Sequence, residues 1–214
     1  MNNKPMPTIG VSDYTFFKLI EDSAETGKAT YEEGVKLPGT VEIAPTDSGA
    51  TDTFDADNGA YYVEEYIEKM GHDITNADIP SEIDNIWRGL ESVSGGTEVG
   101  KMTNAPYFGV AWRIQKAGGG VRFVRYYKGK YGFASNVGGK TKPSTGASEK
   151  QTAKATYSAI CRDCDEKAYY YLDSDNLPEG VTVETVMENW FTDLNWYPTT
   201  TTESGTDNGE TAAE

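Results

Sequence analysis

The chain has 214 residues, 37% of them hydrophobic, and a formal net charge of −15 from 34 acidic and 19 basic side chains. That length supports one sizeable core, so a single domain with extensions is expected. The acid excess disfavours phosphate binding over most of the surface, and the longest apolar stretch, residues 107–112, is far too short to cross a bilayer.

Residues 1–10, with Pro5 and Pro7, read as an extended arm. The first thirty residues hold no long apolar run, so no signal peptide is expected and the chain reads as a soluble protein made in the cytoplasm. Residues 14–20 (YTFFKLI) are rich in β-formers, residues 22–28 make a polar turn, and residues 40–44 form a second extended stretch. Residues 45–59 (PTDSGATDTFDADNG) are acidic and turn-rich and longer than an ordinary connection, and are expected to be a loop, functional or disordered. Residues 60–70 (AYYVEEYIEKM) admit two readings. Tyr62, Val63, Tyr66, Ile67 and Met70 make a helical stripe with Gly71 as C-terminal cap, and the same β-branched and aromatic content suits a long strand.

Residues 81–90 predict a helix, capped by Ser81, with Glu82 and Asp84 at its positive end and Ile83, Ile86, Trp87 and Leu90 on one apolar face. From Phe108 to Gln115 large apolar residues alternate with others, the pattern of a strand burying one face. A turn over 116–120 and a partner strand over 121–128 complete a hairpin. Residues 138–148 read as a loop, 150–162 and 168–172 as strands, and 182–194 as an amphipathic helix with Val183, Val186, Met187, Trp190 and Leu194 inward. Residues 198–214 lack large apolar side chains beyond their start and are expected to be a disordered acidic tail, leaving 11–197 as the folded domain. The fold class that follows is mainly β (α+β), two packed antiparallel sheets forming a sandwich or barrel, with a flanking helix and a short C-terminal one.

Charge is distributed unevenly. Residues 101–154 hold eleven basic residues and one acid, Glu149, a local balance of +10 against −25 for the remainder. The region lacks a helix-turn-helix, an RNA-binding aromatic signature or a zinc framework, so nucleic-acid recognition is not the reading. It suits head-to-tail packing of copies against one another.

The sequence offers no comparably sharp catalytic arrangement. Cys161 and Cys164 frame a C-R-D-C motif, but His72 is the single histidine, so a closed zinc site within one chain is not expected and the thiols read as incidental. Gly138-Gly139-Lys140-Thr141 resembles the end of a phosphate-binding loop, yet position 134, where a glycine is required, is Ala134. Asp52, Asp55 and Asp57 resemble a calcium loop, but Val63 stands where its terminal glutamate belongs, leaving at most a weak Ca²⁺ site. One histidine and no G-x-S-x-G leave no serine hydrolase. No cofactor, metal or catalytic residue is assigned.

The order of segments resembles a known family. Ile9-Gly10-Val11 and Phe16-Phe17-Lys18-Leu19 precede TYEEGVKLPG at 30–39, then FDADNG at 54–59, the short helix near Trp87, APYFGVAW at 105–112, RFVRYYKGKY at 122–131 and Trp190-Phe191. Together they are similar to the major tail proteins (tail tube proteins) of siphophages infecting Gram-positive bacteria, of the phi13 type, over residues 8–197. The resemblance implies two packed β-sheets flanked by a helix, a strand at 60–70, and an arm and long loop that reach neighbouring copies. It implies hexameric rings stacked into a hollow virion tail, with a tape measure protein during assembly and tail terminator and distal tail proteins as further partners. DNA would pass through the lumen without specific binding, and no membrane is involved. An acidic lumen suits that passage, since attractive contacts would stall a polyanion. Some relatives carry a C-terminal immunoglobulin-like domain; this chain has instead a short acidic tail, which puts accessory surface binding in doubt. Thr46, Asp47, Asp52, Phe54, Asp55, Asp57, Arg113, Arg122, Arg125 and Lys128 are the expected inter-subunit contacts. Two alternatives compete: an aromatic-rich β-sandwich that binds carbohydrate as an adhesion module, with Ca²⁺ at the loop over 52–57, and a small hydrolase.

Overall fold

A computed structural model describes residues 5–101, 104–132, 137–147 and 149–199. The expected tail over 198–214 therefore lies almost wholly outside the described residues, as do residues 1–4 of the expected arm. Among the described residues twelve strands and two α-helices follow in chain order: β1 (Thr8–Ser23), β2 (Lys28–Tyr31), β3 (Val35–Lys36), β4 (Thr40–Pro45), β5 (Ser48–Ala56), β6 (Gly59–Asn76), α1 (Ser81–Arg88), β7 (Ser92–Val93), β8 (Gly96–Thr97), β9 (Phe108–Lys116), β10 (Val121–Tyr131), β11 (Ala153–Ile160), β12 (Tyr169–Asp173) and α2 (Val183–Trp190).

Ten strands form one antiparallel sheet in the order β2-β1-β9-β10-β11-β6-β4, with β3 on β1, β5 on β6 and β12 on β10; β7 and β8 make a separate two-stranded ribbon. Residues 35–45 link the two ends of this sheet. Val35 and Lys36 pair with β1, and a few residues later β4 pairs with β6. The sheet thus rolls over until β4 lies alongside β1, in a sandwich-like, mainly β fold. β1 is about twice as long as its YTFFKLI segment predicts, in part because residues 8–10 of the expected arm continue the ladder to β9 as far as Thr8↔Lys116. A bulge between Ser12 and Thr15 interrupts that ladder, with Asp13 in the left-handed region at φ 59°.

Two apolar cores result. The larger, inside the roll, contains Tyr14, Phe16, Ile74, Phe108, Val110, Trp112, Tyr126 and Tyr157. Trp87 of α1 enters it and stacks on Tyr131 at 3.9 Å between ring centroids. The second lies on the outer face under α2, where Val186, Trp190 and Leu194 meet Phe17, Ala111, Phe123 and Tyr127. Each large side chain buried there contributes about 1.5–3 kcal/mol. The helix ends at Trp190 rather than at 194; Val186 and Trp190 face inward as the spacing predicts, Leu194 reaches the same core from beyond the helix, Val183 and Met187 lie at the edge, and Thr182 Oγ1 accepts the Thr185 N–H at 3.3 Å as the cap.

Several expectations are corrected. Residues 45–59 are not a loop: β5 occupies Ser48–Ala56, and Asp57-Asn58 is a two-residue turn into β6. Residues 60–70 are strand, so Gly71 caps no helix. β9 buries both faces rather than one, because α2 covers the side that alternation assigns to solvent. Gly109 belongs to that side, and a Cβ there would stand 2.1 Å from Leu194 Cδ2. Pro80, not Ser81, holds the N-cap of α1, no side chain caps it, and Ile86 is 44% exposed rather than core.

Candidate assembly interface

β5 and the first half of β6 leave the body of the protein as a two-stranded ribbon. Nine cross-strand pairs run from Ser48↔Lys69 to Ala56↔Gly59, a length of about 30 Å at the usual rise per residue. Asp57 (φ 52°) and Asn58 (φ 66°) supply the paired positive φ values of a type I′ turn, whose twist matches that of the strands. One face of the ribbon carries the opposed pairs Ala50/Tyr66, Asp52/Glu64 and Phe54/Tyr62; the other carries Thr51/Glu65, Thr53/Val63 and Gly49/Ile67. Tyr61 and Glu68 occupy the two register irregularities.

Every residue from Gly59 to Lys69 is exposed. Tyr61 is 74% accessible, Ile67 64% and Phe54 63%, and Tyr62, Val63 and Tyr66 are more than half exposed. A solitary two-stranded ribbon is at best marginally stable in water, and contiguous apolar exposure marks contact surfaces. Asp52 stands directly opposite Glu64, a like-charge pairing that opposes closure of the ribbon on its own. Asp55, Asp57, Glu65 and Glu68 add to the acidity, against Lys69 alone.

The ten expected contacts separate into two groups. Asp52, Phe54, Asp55 and Asp57 stand exposed on the ribbon, and Thr46 and Asp47 are at its root. The four basic residues are instead occupied within the chain. Arg113 binds Asp13 and donates from Nε to Ser12 Oγ at 3.0 Å. Arg122 grips Asp173 with Nε and Nη2 at 2.8 and 2.9 Å. Hydrogen bonding to Arg122, outweighing burial and aided by Lys116, holds the Asp173 carboxyl down to about 2. Lys128 Nζ, nearly buried, donates to Asp22 and Asp163 at 2.7 Å each. Burial raises the Asp22 pKa, but Lys128 and the backbone N–H groups of Asp163 and Cys164 overcome that and bring it to about 2. Arg125 is fully buried between Trp190 and Tyr197, with its guanidinium carbon 4.5 and 4.4 Å from their ring centroids, and it donates to the Trp196 carbonyl at 2.6 Å. Arg113, Arg122 and Lys128 thus have acidic partners within the same molecule, while Arg125 is held by aromatic rings and a carbonyl.

The remaining motifs are structural in character. Cys161 and Cys164 are free thiols. Burial, then the bond with Asp22, pushes Cys164 up to about 11, the opposite of an activated thiol. Arg162 is spent on Asp165 and Asn195. Among the described residues no three His, Cys, Asp or Glu side chains converge to hold a metal, and no helix is long and apolar enough to cross a membrane. His72 is fully buried, its Nε2 2.8 Å from the Tyr14 hydroxyl and its ring stacked on Tyr157.

Sequence reasoning missed the exposed side chains Tyr61, Tyr62, Tyr66 and Ile67 as contact candidates. The signal that could have found them is the D-N-G turn at 57–59, a hairpin mark between two stretches of β-formers. The chain matches no known protein family model and no curated protein.

Proposed function

We propose that this protein is a self-assembling structural subunit of the phage tail tube kind, and that the β5–β6 ribbon is its principal contact with neighbouring copies. The observation that carries this reading is the ribbon itself, exposed along its length with large apolar side chains standing beside acidic ones on both faces. A surface of that shape is completed by burial against another copy, and repeated heterologous contact yields rings and stacked tubes. The subunit would act in the virion tail, and the acid excess of the chain would keep DNA from adhering as it passes.

The test is negative-stain electron microscopy with light scattering on concentrated protein, comparing the wild type with Tyr62→Ser/Tyr66→Ser/Ile67→Ser. The expected result is rings or hollow tubes from the wild type and dispersed, folded monomers from the variant. Tubes of normal length from the variant would remove the ribbon from the interface. A wild type that stays monomeric at high concentration, while binding glycans through Tyr61, Tyr62 and Tyr66, would replace this reading with the carbohydrate-binding one.

A further inference from the structure

The ribbon leaves the body at one point. On β6 the pairing with β4 reaches Pro45↔His72, and the pairing with β5 resumes at Ser48↔Lys69. In the gap both backbone groups of Gly71 are claimed by the opposing chain. Thr46 N–H donates to the Gly71 carbonyl at 3.0 Å, and Gly71 N–H donates to Asp47 Oδ1 at 2.8 Å. The Tyr126 hydroxyl approaches the same carboxylate, 3.3 Å from Oδ2. Tyr126 is anchored in the core, stacked on Trp112 with centroids 5.6 Å apart and tilted against His72. Gly71 itself has φ 153°, and a Cβ would stand 2.1 Å from the Tyr157 carbonyl oxygen, so the bend accepts no side chain.

We propose that Asp47 is a positioning residue whose carboxylate fixes the angle at which the ribbon leaves the body. It does so by tying the root of β5 through one acceptor group to a β6 backbone N–H in the body and to a core-anchored hydroxyl. An ionised carboxylate offers two acceptor oxygens and no donor, and bonds to it are stronger than neutral ones. An amide retains one acceptor oxygen and adds donors, so Asp47→Asn can keep both partners through weaker neutral bonds, with Oδ1 accepting from the Gly71 N–H and Nδ2 donating to the Tyr126 oxygen; Asp47→Ala keeps neither. That a wandering ribbon would prevent ordered assembly rests on the function proposed above. The clamp itself does not.

Amide hydrogen exchange followed by NMR on the full-length free subunit separates the two. In Asp47→Ala the Gly71 amide is expected to exchange about tenfold faster or more, with Asp47→Asn between it and the wild type. Amides of β9 and β10 and the urea midpoint are expected to hold. Unchanged Gly71 exchange in Asp47→Ala would overturn the clamp, and so would acceleration spread equally through β9 and β10. Light scattering supplies the second readout: given assembly by the wild type, Asp47→Ala is expected to form no regular tubes, and normal tubes would overturn the positioning role. Failure of the wild type to assemble would count against the tube reading while the exchange result still decides the clamp.

Discussion

His72 gives the protein an acid sensitivity that can be isolated from all other titrations. Its ring is fully buried among Tyr14, Trp112, Tyr126 and Tyr157, and burial alone depresses its pKa from 6.5 to about 3. A histidine depressed in the folded state charges more readily when unfolded. Its contribution to stability is therefore complete above pH 6.5 and is lost as pH falls toward 3. At about 1.4 kcal/mol per pH unit, the loss between pH 7 and pH 5 is about 2 kcal/mol. Asp22 and Asp173, held to about 2, keep their stabilising contribution down to about pH 5 and lose it progressively below that, outside the interval in question. With one histidine in the chain, the interval from pH 7 to 5 reports on His72. Urea unfolding at pH 7, 6 and 5 should show this slope in the wild type and a nearly flat line in His72→Phe, whatever that variant's starting stability. Parallel slopes in the two proteins would refute the reasoning.

Two substitutions probe the buried charges. Arg125→Met removes the guanidinium from its aromatic cage and releases the Trp196 carbonyl; a loss of about 2–4 kcal/mol is expected in urea unfolding, and an unchanged midpoint would show that Arg125 does not help to hold residues 190–197 against β10. Asp22→Asn leaves Lys128 nearly buried with only the exposed Asp163 as ionic partner. It should cost about 3 kcal/mol at pH 7 and speed thiol labelling of Cys164, whose N–H Asp22 also holds; labelling at the wild-type rate would show that the turn is fixed by other contacts.

Legibility varied with how local the cause was. The β9–β10 hairpin and the α2 stripe follow from period and turn chemistry, since Trp190 and Val186 recur at helical spacing and Phe108, Val110 and Trp112 at strand spacing. The ribbon was hidden because its strands bury neither face, so no burial period marks them, and the Asp, Gly and Thr of β5 resemble a loop. The fate of Arg113, Arg122, Arg125 and Lys128 was hidden for a different reason. Their partners lie far away in the chain: Lys128 meets Asp22 across 106 positions and Arg125 meets Trp196 across 71.

By itself the sequence determined the mainly β class, the two amphipathic helices and the uneven charge, because side-chain period and composition act over a few residues. Only the tertiary structure decided where that charge is spent. Tertiary packing brings Asp173 to Arg122, and Asp22 and Asp163 to Lys128, so two of the four basic residues of β10 find acidic partners within one molecule. Sheet register carries β6 past the end of its pairing with β4 and β11, which leaves the acidic, apolar ribbon uncovered.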